Sequence, residues 1–293
     1  MPVAGAFAGA IEDNARALDA VSVADLRELS RAIAEAQAET AELVHNALEA
    51  ADAGWQERRA SGLLLQLTKA TAQIKKRLGA AATADLDRDA RRAMDTAARH
   101  AQRMMDAGMG EHVAARFDVA SVLADSRRTV WSRFASSSRR YAGDVGETMR
   151  RKLMVGIIRG DSLDELTTRV LKGTGMIRRL KERGDIRSIA DASADATFSV
   201  ARSWGERLVH TELVNAYGEV AKNSIADANR DDPGWVEKWD AANDRRVCID
   251  CSYLDGSIID AGKVFKSRRG TCDHPPLHPF CRCALIPWRL EWK

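Results

Sequence analysis

Aromatic side chains are scarce in this chain, at 5% of 293 residues. That scarcity argues against a platform of rings on which nucleic-acid bases would stack. No apolar run approaches the roughly 18 residues of a membrane-spanning helix. The opening, Met1-Pro2-Val3-Ala4-Gly5-Ala6, lacks the basic stretch of a secretory leader, so synthesis in a cytoplasm is expected. Neither sign of charge dominates. Lys and Arg number 45 and Asp and Glu 42, for a net charge of +3, which does not announce a nucleic-acid binder. Catalytic signatures are missing as well. There is no His-Glu-x-x-His, no Gly-rich phosphate loop, no serine nucleophile elbow and no paired-carboxylate motif. Cysteine is absent until position 248, and all five cysteines then fall between 248 and 283.

What is present is mostly helix. Hydrophobic residues make up 45% and charged residues 30%, and alanine is abundant, a composition that favours closely packed helices. Leu26, Leu29, Ile33, Ala36, Thr40, Leu43 and Ala47 step by threes and fours, predicting a helix over 24–53 capped by Ser22 with Asp25 and stopped at Gly54. Leu64, Leu67, Thr71, Ile74 and Leu78 predict a second over 55–78, ended by Gly79. Leu86, Ala90, Ala93, Ala97, Ala101 and Met104 predict a third over 83–106. Helix continues over 111–142, and Gly143 and Gly146 mark a boundary before a helix from Glu147 to Ile158. Asp161-Ser162-Leu163-Asp164-Glu165 offers a cap and an acidic first turn for a helix that runs to Val170 or Leu171, and 190–229 reads as one or two more. After the turn Asp231-Asp232-Pro233-Gly234 the texture changes. Trp235 to Trp239 alternates as an edge or hairpin strand would. The fold class is therefore mainly α, with an elongated N-terminal helical arm and a small α+β C-terminal region. The expected divisions are 1–142, a partner-docking arm; 143–230, a helical domain; and 231–293, a metal-binding tail. Each apolar stripe of the arm is explained first by packing, although three long helices carry more apolar face than a simple hairpin buries.

The tail carries the chemistry. Cys248-x-x-Cys251 is followed by His278-x-x-Cys281 and then Cys283. Short x2 spacings let two ligands of one tight turn reach one ion, and cysteines clustered in a reducing compartment point to metal rather than disulfides. Cys248, Cys251, His278 and Cys281 form the simplest tetrahedron. Cys283 is the main rival for the fourth place, with Cys272 and His274 weaker rivals. Four protein ligands leave no open position for water, so the ion is expected to be a structural Zn²⁺ that supplies folding energy to a loop-rich tail. Asp240 and Asp244 could position Arg245, Arg246 or Arg282, or act as acceptors behind the ligands. Thr211 and Glu212 beside His210 could form a catalytic pair. A buried Glu accepting hydrogen bonds where this helix meets the tail is the better account.

The order Trp239…Asp244-Arg245…Cys248-x-x-Cys251…Leu254-Asp255-Gly256…Phe265…Pro275-Pro276-Leu277-His278-Pro279-Phe280-Cys281-Arg282-Cys283 resembles the C-terminal signature of the phage Mu F-like minor head proteins, also called head morphogenesis proteins. His210-Thr211-Glu212 with Asn215 also looks like a helix of that family, and the resemblance covers about 145–288. It implies a structural, non-enzymatic minor capsid protein of a tailed phage or prophage. Such a protein would associate with the portal during head assembly, meet major capsid or scaffold proteins, and reside in the virion after assembly in the host cytoplasm. Contact with packaged double-stranded DNA would be through charge. Basic clusters at Arg127, Arg128, Arg133, Arg139, Arg140, Arg150, Arg151 and Lys152, and at Arg178, Arg179, Lys181 and Arg183, could supply that charge or be a solvated face balanced by acids. The competing readings are a sequence-independent DNA-binding zinc protein, touching phosphates through Lys266, Arg268, Arg269 and Arg282, and a phage-encoded nuclease or transferase.

Overall fold

The computed structural model describes residues 4–22, 26–109, 117–242 and 244–292. Among the described residues, seven helices precede a small tail: α1 (Ala4–Ser22), α2 (Arg27–Asp52), α3 (Glu57–Met109), α4 (Val119–Arg159), α5 (Leu163–Val170), α6 (Ile177–Arg183) and α7 (Ile186–Asp231). The tail comprises β1 (Trp235–Asp240), α8 (Ile249–Leu254), β2 (Ile258–Asp260), β3 (Phe265–Ser267), β4 (Gly270–Cys272) and β5 (Ala284–Arg289). The chain is thus mainly helical with a few short antiparallel strands at its C-terminal end.

It forms two compact units. One gathers the described residues of Met1–Asp25, Leu86–Ala135 and Arg207–Lys293, the other Leu26–Asp85 and Ser136–Glu206. The unit boundaries therefore fall inside α3, α4 and α7.

In the second unit α2 buries the stripe the spacing predicts: Leu29, Ile33, Ala36 and Ala47 are all nearly inaccessible, joined by Leu67, Ile74 and Leu78 of α3. The Ser22–Asp25 cap lies outside the described residues. The start of α2 is instead capped from a distance. Asp85 of α3 accepts from the backbone N–H of Leu29 at 2.8 Å and of Glu28 at 3.3 Å, which satisfies donors that the helix itself leaves unpaired. α5 begins with a cap, as expected, and the cap is a reciprocal capping box: Glu165 N–H donates to Ser162 Oγ at 3.4 Å, and Ser162 N–H donates to Glu165 Oε2 at 2.9 Å.

Several predicted breaks are absent. Gly79 does not end a helix; α3 runs through it, because a lone glycine costs about 1 kcal/mol and the Ala80-Ala81-Ala82 run that follows favours helix. A Cβ at Gly79 would lie 3.7 Å from Ala142 Cβ of α4, an ordinary contact. Gly143 and Gly146 likewise lie inside α4, which also absorbs the helix expected at 147–158; of the 111–142 helix, 111–116 fall outside the described residues. At Gly146 the stem of Lys75 occupies the space a Cβ would need, so glycine there permits a close approach rather than a stop. α1 was not foreseen.

In the first unit, Leu86, Ala90, Ala93, Ala97, Ala101 and Met104 are all buried, as predicted. The strand at Trp235–Asp240 is not an edge. β1 is the middle of a three-stranded antiparallel sheet ordered β2-β1-β5, with Val236 opposite both Asp260 and Trp288. Trp235, Glu237 and Trp239 share one face of β1 and are almost wholly buried, and on the opposite face Val236 is buried with Lys238 and Asp240 half-buried. Both faces of β1 are therefore covered. β3 and β4 form a separate hairpin, with Phe265 opposite Cys272.

Candidate metal centre

The loop after β1 delivers Cys248 to the N-cap of α8, just before Ile249. Cys248 has extended backbone, φ −81° and ψ 161°, and its sulfur accepts from the Cys251 N–H at 3.3 Å. The x2 knuckle is thus a helix cap in which the capping atom is a sulfur. Burial pushes the Cys248 thiol up, but the Cys251 backbone hydrogen bond and further donors outweigh it and lower it, favouring thiolate.

The second x2 pair folds over the first. His278 Nε2 lies 3.2 Å from Cys248 Sγ and 3.2 Å from Cys251 Sγ, and Cys251 Sγ lies 3.7 Å from Cys281 Sγ. Among the described residues, two groups could hold a metal ion, Cys248–Cys251–His278 and Cys251–Cys281–Cys283, and they share Cys251. A tetrahedral zinc with bonds of about 2.3 Å to sulfur and 2.0–2.1 Å to nitrogen sets its ligand atoms about 3.6–3.8 Å apart. The observed separations lie close to that. The His278 tautomer also fits: Nδ1 donates to the Pro279 carbonyl at 2.8 Å, which leaves the Nε2 lone pair facing the sulfurs.

Three thiols so close cannot all ionise without a cation. Hydrogen bonds from Cys251 and Cys283 hold Cys281 down as the thiolate, while the same contact with Cys281 drives Cys251 far up. A divalent ion would invert that constraint by favouring thiolate at each ligand.

The supports around the cluster are charge pairs. Arg282, between Cys281 and Cys283, makes a two-pronged bond to Asp244 at 2.5 and 2.6 Å, and this holds the Asp244 carboxyl well below the usual range. Arg269 on the β3–β4 turn bonds Asp250 of α8 at 2.5 Å. Asp244 therefore positions Arg282, one of the roles its place suggested. Asp240 does not join it. It is pushed up to about 6 by burial and by Asp255. Phe280, between His278 and Cys281, has φ 59°, a left-handed backbone rare for a bulky residue. Its ring lies 5.3 Å from that of His210 on α7.

The weaker rivals lie outside both groups. Cys272 is on β4, its thiol pushed up to about 11 by burial. His274 has both ring nitrogens engaged: Nδ1 with the Pro275 carbonyl at 2.5 Å and Nε2 with Glu219 at 3.1 Å. His210 and Glu212 belong to neither group, and Thr211 Oγ1 donates to the Arg207 carbonyl within α7. A buried polar cluster escaped the sequence reading. It joins Glu219 and Lys222 of α7, Glu237 of β1, and Asp273 and His274, with Lys222 Nζ 2.6 Å from Asp273. The placement of Glu219 and Lys222 one turn apart on an otherwise apolar helix face was its only signal.

Residues 147–286 match the family model described as Phage Mu protein F like protein. That span includes α7 and every residue of the metal-competent groups. It agrees with the resemblance carried by the tail signature, and it lies within the second half of the chain. No curated protein and no solved structure matches the chain.

Proposed function

We propose, from this Mu F-like second half, that the chain is a structural minor head protein of a tailed bacteriophage or prophage. It acts at the portal vertex during head assembly, with its tail folded around one zinc ion. The observation that carries the zinc is the convergence of two x2 pairs on Cys251, with the imidazole lone pair already aimed at the sulfurs. Cys248, Cys251 and His278 would supply three ligands, and Cys281 or Cys283 the fourth. A closed set of sulfur and nitrogen donors is the chemistry of a structural ion and offers no site for a reacting water. The protein is read as non-enzymatic. Its partners would be the portal and the major capsid or scaffold proteins, and its final place the virion interior or portal vertex after assembly in the host cytoplasm.

Elemental analysis of the purified chain should give one zinc per molecule, with most thiols protected from titration. Cys248→Ser should lose the ion and unfold the tail, with little loss of helical circular dichroism. A preparation free of zinc in which all five thiols titrate would refute the ion.

The second reading, DNA contact by charge, rests on Arg127, Arg140, Arg178 and Arg179. All four are exposed and form no ion pair among the described residues. Other members of the basic clusters are already paired: Arg128 with Asp125, Arg150 and Arg151 with Glu147, and Lys181 with Asp164.

A further inference from the structure

α8 turns two faces. Asp250, Cys251 and Leu254 are buried toward the metal-competent cluster and β3. The other face carries Ile249, 71% exposed, and Tyr253, 61% exposed, one helical turn apart. These are large apolar surfaces that the cluster does not use. Val264, also exposed, enters the neighbouring β3–β4 hairpin.

One cation stands against the apolar pair, and others lie on the segments that flank it. The guanidinium of Arg268 lies 5.8 Å from the centre of the Tyr253 ring. Arg245, Lys263, Lys266 and Arg268 are exposed, and none forms an ion pair among the described residues. Of the nearby acids, Asp244 pairs with Arg282 and Arg246 and Asp250 with Arg269, while Asp255 at the end of α8 accepts from the Ala241 N–H. The patch therefore has an apolar centre with Arg268 beside it, and the flanking loop and hairpin carry more cations than unpaired acids. Most residues of the apolar stripes of α2 and α3, by contrast, are buried.

We propose that this face of α8, with the β3–β4 hairpin, docks an acidic segment of another protein. A large apolar side chain of that segment would seat between Ile249 and Tyr253, and flanking carboxylates would meet Arg268, Lys266 and Arg245. Interfaces concentrate energy in a few buried aromatic and arginine anchors, and complementary charge sets orientation and encounter rate. Nucleic acid is the poorer occupant. Ile249 has no ring for a base to stack on, and Tyr253 stands as a single aromatic rather than one of a row. The proposal needs only the folded tail, not the head-assembly role.

The test uses the full chain, its zinc content and circular dichroism measured in the same samples, so that an unfolded tail is recognised as such. The probes are a fluorescein-labelled dodecapeptide of Asp and Glu with a central Leu-Phe, the same peptide with Ala-Ser at the centre, and an oligothymidine dodecamer. The Leu-Phe peptide should bind at least about tenfold more tightly than the Ala-Ser one, a difference of about 1.4 kcal/mol. Tyr253→Ser and Ile249→Ser should each weaken it by about tenfold, with fold and zinc unchanged. Arg268→Glu with Lys266→Glu should remove binding and gain affinity for a Lys-rich version of the peptide. Absence of binding by the Leu-Phe peptide would overturn the proposal. Equal affinity for the two acidic peptides would reduce the patch to charge alone. Tighter binding of the oligonucleotide would give the surface to nucleic acid instead.

Discussion

Glu237 shows how much can hang on one side chain. It sits on the middle strand β1 with none of its surface exposed. Its Oε1 accepts from the Gly262 N–H at 2.9 Å, and its Oε2 has no hydrogen-bond partner. Burial drives its carboxyl up to about 7; the Gly262 bond, Lys222 and His274 oppose this, and Asp273 adds to it. A raised carboxyl binds its proton more tightly in the folded state. Below pH 4.5 the group is protonated in both states and costs nothing. Between pH 4.5 and 7 the unfolded chain ionises while the folded one does not, so stability falls as pH rises. Above 7 the full cost is present, at most about 3 kcal/mol from the size of the shift. Glu237→Gln should flatten that decline, and the variant should gain on the parent at pH 8 relative to pH 5. Urea unfolding across this range measures it, and identical slopes for the two proteins would show that the burial of Glu237 does not set the pH dependence.

At the scale of elements, the joint between α7 and the tail is made tight by glycine. A Cβ placed on Gly218 would strike the Pro275 carbonyl oxygen and come within 2.6 Å of His274 Nδ1. Helix propensity alone says that Gly218→Ala should stabilise α7 by up to about 1 kcal/mol. Overlap with backbone says the opposite, and it should win because a carbonyl fixed by the tail cannot step aside cheaply. We expect Gly218→Ala to destabilise by about 1–3 kcal/mol. Gly143→Ala, in the middle of α4 with nothing within 4 Å of the new carbon, should stabilise by about 0.5–1 kcal/mol. Opposite signs for the two substitutions in urea unfolding check the argument; stabilisation by both would mean that the tail yields. Helix signals encoded within a few residues were legible in advance, as the cap and acidic first turn of α5 and the largely buried stripes of α2 and α3 show. The lengths of α3 and α4 were not, because a glycine reads as a stop unless its neighbours in space are known.

For the whole molecule the question is charge. A net charge of +3 leaves little general attraction for DNA, and much of the basic clustering is neutralised by neighbouring acids one helical turn away. Binding to duplex through exposed arginines such as Arg127, Arg140, Arg178 and Arg179 should then be weak, indifferent to sequence, and lost as salt rises, since each phosphate contact releases condensed counterions. Filter binding over a salt series tests this. Affinity that stays flat with salt, or a strong preference for one sequence, would contradict contact by charge alone, and metal-dependent cleavage of the duplex would point to an enzyme.

The amino-acid sequence by itself determined the helical class, most of the faces that helices bury, and the five Cys and His residues that the fold gathers into two metal-competent groups, because each is written in short spacings: threes and fours for a helix face, x2 for a knuckle. Tertiary structure alone decided what distant residues do for one another. It placed Asp85 on the first N–H groups of α2, made Trp235–Asp240 a middle strand, joined the two x2 pairs through Cys251, and tied Arg282 to Asp244. The physical reason is that such pairings are set by what else is buried beside them. A capping oxygen, a strand's second neighbour or the charge state of a thiol depends on groups far away in the chain, and local periodicity carries no record of them.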